Sequence, residues 1–320
     1  MKVAIVSRKS LIPPRTYGGT QRDIWAEAKE LDALGHDVVF LVRAGSTCPF
    51  AEILDHDPTK TLDEQLPGDV DVVHYHGNLR EPIGKPNLTT VHGNGQPGEV
   101  FGMNSVFVSR DHARRHGSTR FVYNGLDFDA LGSPELGKAR EGLLFLAKAS
   151  RSVKNLKGSK TVAALADKRL HVVGGRGLSV TGRVAYYGMI GGERKNRIIN
   201  EREALLFPVL WDEPLGLAVL ESLYFGLPVF GTPYGSLPEL ISSERGYLSV
   251  SVSELGRAAR DAGGYDRRRC HEFVCDNFSA RAMTMEYLRL FEEVMAGRSL
   301  NPEPPTTRPG EFTKTFRMRP

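Results

Sequence analysis

The chain has 320 residues, 40% apolar and 25% charged, with 42 lysines and arginines against 38 acidic residues and a formal net charge of +4. That is the profile of a soluble globular enzyme with room for two domains, and it excludes a disordered or fibrous chain. Cys48, Cys270 and Cys275 lack framework spacing, as expected in a reducing cytoplasm, and the short apolar run after Met1-Lys2 predicts no signal peptide.

In chain order the opening reads strand, loop, helix, strand. Residues 3–6 form a continuous apolar run, as in a strand covered on both faces. A loop bearing proline and glycine follows to Gly19, and then Ile24, Ala28, Leu31 and Leu34 recur at helical spacing until Gly35 closes the helix. Residues 37–42 give the next strand, and this βαβ unit predicts a parallel sheet. Further strands are expected at 70–75, 88–92, 105–108 and 120–123, and the pattern lapses into Gly, Ser and Pro over 131–138. A first domain over 1–136 and a second over 137–278 are therefore expected.

The alternation then restarts. Strands are expected at 143–147, 171–173, 184–187, 204–208 and from 229, with helices at 159–165, 193–203 and 215–225. Two Rossmann-like doubly wound α/β domains facing a cleft follow from this pattern, with ligands outside the carboxyl ends of the strands. Ser279 is a good N-cap for a final helix over 279–296, whose Met283, Tyr287, Leu290, Phe291 and Val294 share one face. Residues 297–320 read as a loosely draped, Pro-rich basic tail, with Arg298, Arg308, Lys314, Arg317 and Arg319 outnumbering Glu303 and Glu311. Such a tail allows peripheral contact with an anionic membrane at its inner face. No apolar run approaches the ~18 residues of a membrane span. Nucleic acid is not an expected partner, since no basic run is interleaved with aromatics.

The chemistry concentrates in Phe207-Pro208-Val209-Leu210-Trp211-Asp212-Glu213-Pro214-Leu215-Gly216-Leu217-Ala218-Val219-Leu220-Glu221. A strand ends near Pro208, and a helix is expected to start near Pro214, where proline's fixed φ suits the first position. The backbone N–H groups of Leu215, Gly216 and Leu217 at such a helix mouth would form a diphosphate site. Glu213 at the mouth and Glu221 a little over two turns later would face the same side. Glu221 lies on a helix apolar nearly all round, where a carboxylate needs a partner or a ligand.

These residues resemble the Glu-x7-Glu motif of retaining GT-B enzymes of glycosyltransferase family 4. The likeness continues in Gly226-Leu227-Pro228-Val229 and Leu237-Pro238-Glu239-Leu240, and upstream in Tyr17-Gly18-Gly19-Thr20, Asp71-Val72-Val73-His74-Tyr75-His76, Thr90-Val91-His92-Gly93 and Asn124-Gly125-Leu126-Asp127. The resemblance implies the GT-B fold and a hexosyltransferase that uses a UDP- or GDP-sugar donor, without metal or cofactor. The acceptor would be a saccharide, a lipid-linked molecule or a small molecule. It further implies that Glu213 binds donor-sugar hydroxyls, Glu221 the ribose, and His92 the reacting sugar. Lys154, with Lys148 or Arg151, would neutralise the departing diphosphate, and Gly18 and Gly19 would let backbone approach the donor or acceptor closely.

Rival readings stay open on the residues. His74 and His76 point the same way on one strand, but no third zinc ligand is evident. Gly174-Gly175-Arg176-Gly177 follows a strand, yet Val180 occupies the third small position of a dinucleotide fingerprint. A nucleotide-sugar epimerase or phosphorylase, or a sugar-nucleotide-binding regulator, would share the fold.

Overall fold

The structure, a computed structural model, describes residues 1–14, 18–79, 81–179, 181–307 and 316–319. Tyr17, Val180, Arg308, Glu311 and Lys314, invoked above, lie outside the described residues. The chain forms two compact units, Met1–Leu126 with Ser279–Phe312, and Asp127–Phe278 with Thr313–Pro320.

The first unit contains β1 (Lys2–Ser7), α1 (Gly19–Ala33), β2 (Asp37–Val42), β3 (Glu52–Asp55), α2 (Leu62–Gln65), β4 (Val72–His76), β5 (Asn87–Val91), β6 (Ser105–Phe107) and α3 (Arg110–Arg115). Its strands form a six-stranded sheet in the order β3-β2-β1-β4-β5-β6, with every pair parallel. The apolar runs explain this: Val3 to Val6 and Val38 to Val42 are buried on both faces, which only a helix-covered parallel sheet satisfies. The order reverses between β1 and β4, so the carboxyl ends of those strands flank a topological switch point.

The second unit repeats the scheme. Its elements are α4 (Phe128–Leu131), β7 (Leu143–Leu146), α5 (Leu156–Leu165), β8 (Leu170–Val173), β9 (Val184–Tyr186), α6 (Gly192–Asn200), β10 (Ala204–Phe207), α7 (Leu217–Tyr224), β11 (Val229–Gly231), α8 (Leu237–Leu240), β12 (Gly246–Leu248), α9 (Val252–Arg260) and α10 (Arg267–Asn277). The sheet order is β12-β11-β10-β7-β8-β9, again parallel throughout, with β7 and β10 at the switch point.

The last helix, α11 (Ala280–Met295), returns to the first unit. Ser279 Oγ caps it by accepting from the Ala282 N–H at 3.0 Å. Met283, Tyr287, Leu290 and Phe291 are buried in one core cluster with Ile5, Ile24, Leu31 and Phe40. Ala280 N–H donates to the Leu126 carbonyl at 2.9 Å, and a Cβ on Gly125 would collide with the Ser279 carbonyl. Glycine stands there because two backbones touch.

Three expectations are corrected. The units divide after Leu126 and not near 136, because Asn196 Nδ2 holds the Leu131 carbonyl at 2.9 Å and the Tyr224 hydroxyl holds that of Gly132 at 2.8 Å, which ties α4 and the next turn to the second unit. Residues 120–123 form no strand; an isolated bridge joins Phe121 to Phe107. The tail is not loosely draped where it is described. Leu300, Asn301 and Thr307 are buried, Phe101 N–H donates to Pro305 O at 2.8 Å, and Thr307 N–H donates to Glu99 O at 2.9 Å. Beyond them Val252 N–H donates to Arg319 O at 2.9 Å, and Phe316 N–H donates to Leu210 O at 3.0 Å. Buried backbone groups need partners, and these loops offer them. Among the described residues no helix is long and apolar enough to cross a membrane.

Phe291 is fully buried, so Phe291→Ala is expected to cost the first unit about 3–5 kcal/mol in a urea titration. A loss below about 1 kcal/mol would mean that α11 does not complete this core.

Candidate functional site

In the second unit, the carboxyl ends of β7 and β10 carry the residues that the Glu-x7-Glu segment singled out. After β7 the chain turns through Lys148 and Arg151 into a short 3-10 turn, Ser152–Lys154. Asn155 follows with φ 54 and caps α5 through Oδ1, which accepts from Gly158 N–H at 2.9 Å. Its amide also donates to the Pro208 carbonyl at 2.9 Å, while Leu210 N–H donates to the Val153 carbonyl at 2.8 Å. The turn after β7 is thereby stitched to the loop after β10.

That stitching brings two side chains onto one carboxylate oxygen. Lys154 Nζ lies 2.6 Å from Glu213 Oε2, and Trp211 Nε1 donates to the same oxygen at 2.6 Å. The Lys154 and Glu213 side chains are only 12% and 8% exposed. The ammonium also sits 5.0 Å from the ring centroids of Phe207 and Trp211, within cation–π reach. Arg151 is exposed, but its guanidinium lies 4.8 Å from the Trp211 ring centroid. Lys148 is exposed and makes no ion pair among the described residues.

The helix after Glu213 begins later than expected. Gly216, with φ +95, is the N-cap, and α7 starts at Leu217, so Pro214 and Leu215 belong to the loop and not to the first turn. The cause is a second strap. Ser236 N–H donates to the Glu213 carbonyl at 3.0 Å, Gly235 N–H to Asp212 Oδ1 at 3.2 Å, and Ser236 Oγ to the Leu215 carbonyl at 2.8 Å. Gly235 has φ +65, and any Cβ there would strike the Glu213 backbone. The N–H groups of Leu215, Gly216 and Leu217 find no acceptor among the described residues, which suits them to an anion.

Glu221 is not open beside Glu213. It is fully buried in α7, and its Oε1 holds Lys195 Nζ of α6 at 2.8 Å. The partner that a buried carboxylate requires is thus Lys195, which the sequence did not single out.

The first unit places its own candidates at its switch point. Gly18 is the N-cap of α1 and Gly19 its first residue. Gly18 has φ −144, so no left-handed conformation demands glycine there. His92 follows β5, with Nε2 3.0 Å from His76 Nδ1 and Nδ1 3.9 Å from Asp23 Oδ2. His76 Nε2 lies 3.2 Å from Glu27 Oε2, and His74 Nδ1 bonds Glu27 Oε1 at 2.6 Å. The loop after His92 is braced by His112 Nε2, which bonds the Gly93 carbonyl at 3.2 Å, and by His116 Nε2, which accepts from Gly95 N–H at 3.1 Å.

Glu27 is the third group beside His74 and His76 that the sequence could not show; ligand atoms of the three lie within 4.8 Å of one another. At 2.6 Å, however, its Oε1 is already hydrogen-bonded to a ring. Burial alone would raise the Glu27 carboxyl, but His74 and then His76 outweigh it and bring it down to about 2. Burial, with the charge of His74, pushes His76 down to about 4. Burial likewise holds His92 and His112 well below the ordinary histidine range, and holds Asp23 well above the carboxylate range despite Arg22.

Comparisons with known proteins agree with this architecture. Residues 134–262 match the family model described as Glycosyl transferases group 1. A stretch of 116 residues is 25% identical to an uncharacterized 41.2 kDa protein in the cps region of Klebsiella pneumoniae, and it covers 34% of this chain and 32% of that protein. Among solved structures, AviGT4, a glycosyltransferase involved in avilamycin A biosynthesis, superposes with a TM-score of 0.76 at 23% identity, over 92% of this chain and 98% of that one. Anabaena HepE in complex with UDP and glucose gives 0.64 at 14% identity, over 92% and 100%. The fold is therefore α/β, with two parallel six-stranded sheets of the GT-B glycosyltransferase kind.

The depressed histidines set a pH dependence. An unfolded histidine takes up a proton near pH 6.5, whereas His76 in the fold does so only at about 4. Stability is thus full above pH 6.5 and falls as the pH drops from 6.5 towards 4, with His76 alone contributing about 3 kcal/mol of that loss. Urea midpoints at pH 7 and pH 4.5 check this. Equal midpoints would mean that these rings are already charged in the fold.

Proposed function

We propose that the protein is a retaining, metal-independent glycosyltransferase. It would move a hexose from a UDP- or GDP-sugar to a hydroxyl of a saccharide, lipid-linked or small-molecule acceptor. The observation that carries this reading is the convergence of Lys154 and Trp211 on Glu213 at the carboxyl ends of the switch-point strands β7 and β10. Beside them stand the N–H groups of Leu215, Gly216 and Leu217, which have no acceptor among the described residues. An ammonium and a set of N–H groups suit a diphosphate, and a carboxylate beside them suits the hydroxyls of the sugar that the diphosphate carries. HepE, whose complex holds UDP and glucose, supports a donor of this class.

In the reaction the bond from C1 of the sugar to the β-phosphate oxygen breaks. The acceptor hydroxyl oxygen bonds to C1 on the same face, and its proton passes to the departing phosphate. Lys154 turns from Glu213 to the phosphate as charge builds there, with Arg151 or Lys148 as the second cation. Released from the ammonium, Glu213 accepts from donor-sugar hydroxyls, while His92 of the first unit contacts the transferred sugar. The exposed Arg151, laid on Trp211, is better held for the second-cation role than Lys148. Glu221, which holds Lys195 through Oε1, is assigned to the ribose. Gly18 and Gly19, at the start of α1, keep their assignment to close backbone approach. Membrane contact through the basic tail would bring a lipid-linked acceptor within reach in a cytoplasmic setting.

Nucleotide-sugar turnover over UDP and GDP donors tests the reading. Lys154→Ala is expected to lower kcat by about 10²–10³-fold and to weaken nucleoside-diphosphate binding in calorimetry, with the far-UV spectrum kept. Full activity in Glu213→Ala would remove the assignment. Product anomers read by NMR check retention, and undiminished turnover in EDTA is the result expected of a metal-independent enzyme.

A further inference from the structure

The buried chain of polar side chains behind His92 has a direction. Glu27 Oε1 is bonded to His74 Nδ1 at 2.6 Å, and the other ring nitrogen of His74 bonds Thr90 Oγ1 at 2.8 Å. Thr90 in turn meets the Tyr287 hydroxyl of α11 at 3.0 Å. The second Glu27 oxygen, Oε2, stands 3.2 Å from His76 Nε2, with both side chains at 1% exposure or less. A carboxylate only accepts hydrogen bonds. The contact is an ion-pair contact and not an aligned hydrogen bond, yet a ring lone pair on that nitrogen would still face the charge of the carboxylate at 3.2 Å. The His76 proton therefore belongs on Nε2, and its Nδ1 is left as an acceptor. His92 Nε2 lies 3.0 Å from that acceptor, so the His92 proton belongs on Nε2 as well.

We infer that Glu27 and His76 are positioning residues: through Glu27–His76–His92 they fix His92 with its proton on Nε2 and a lone pair on Nδ1, so that His92 accepts a hydrogen bond from a ligand hydroxyl and does not donate one. The transferase reading enters only in naming that hydroxyl as a sugar's. The groups facing His92 are His76, His74, Glu27 and Asp23. Burial and the two neighbouring rings hold His92 and His76 neutral near pH 7. Ionised, Asp23 at 3.9 Å from Nδ1 would draw the proton to that side; burial raises its carboxyl and weakens the pull. Asp23 Oδ2 is also occupied by the Asn124 amide at 2.7 Å. The His92 side chain keeps 12% of its surface open, so a ligand can reach the ring while His74 and His76 stay shut away.

The test is ring-15N NMR on the full chain labelled at histidine, with the His92 signals assigned by their loss in His92→Gln. The wild-type ring is expected as the Nε2–H tautomer at pH 7; an Nδ1–H or doubly protonated ring would overturn the inference. Glu27→Gln keeps an acceptor for His74 and puts an amide donor against His76. Both rings should then turn their protons round, His92 should become Nδ1–H, and kcat/KM should fall about tenfold, the effect of one hydrogen bond. An unchanged His92 ring in that variant would also overturn it. If Glu27→Gln does not fold, His76→Phe removes the acceptor and should give a mixture of His92 tautomers; a ring still wholly Nε2–H would count against the chain. The spectra need no turnover. A protein with these ring states and no transfer activity would sink the proposed reaction and leave the positioning chain standing.

Discussion

The contact between the Lys154 ammonium and the Glu213 carboxylate organises the second unit. Both side chains are mostly withdrawn from water, and removing either would strand the other at a cost of about 3–5 kcal/mol if it were fully buried. Such a pair persists only where the backbone on both sides is held. Here the turn before α5 is tied to the loop after β10 by Asn155 and Leu210, and that loop is tied from the other side by Gly235 and Ser236. Phe207 and Trp211 supply an aromatic wall for the cation. The parallel sheet sets the frame, because only at its switch point do the carboxyl ends of β7 and β10 diverge and leave room for a ligand.

The first unit uses the same topology for different chemistry. Its switch point is backed by a carboxylate that His74 and His76 hold low and by His76 and His92, whose own values burial lowers. The polar chain from Glu27 to Tyr287 links α1, β4, β5 and α11. It stands in an apolar interior, where each buried group is costly unless bonded. One unit presents an ammonium paired with a carboxylate beside N–H groups that have no acceptor among the described residues, and the other a buried chain of histidines on a carboxylate.

Much of this was legible in the residues. Continuous apolar strands between helical stripes can only be parallel and covered, so both sheets were readable from runs such as residues 3–6 and 143–147. The short strands β3 and β12 were not, since Glu52–Asp55 is only partly buried and Gly246–Leu248 begins with glycine. Helix α11 itself was signalled by Ser279 and its apolar face, but neither its return to the first unit nor the docking of residues 300–307 was legible in the spacing of residues. Their partners include backbone groups of residues 99–105, which are the same in every sequence, and the side chains of Asn104, Ser118 and Arg120, which lie between 180 and 196 positions away. Trp211 stood inside the quoted segment, yet its place between Glu213 and the cations of Lys154 and Arg151, far back along the chain, was not legible from spacing.

By itself the sequence determined the fold class, the order of the elements and the segment bearing Glu213, because those follow from local periodicity and from the residue types that end strands and start helices. Only the tertiary structure decided who partners whom. Glu213 meets Lys154 across 59 positions, Glu221 meets Lys195 across 26, and Glu27 meets His74 across 47. Spacing along a chain specifies neighbours within one helix or strand. Which charges share a buried space is fixed when separate elements pack and water leaves.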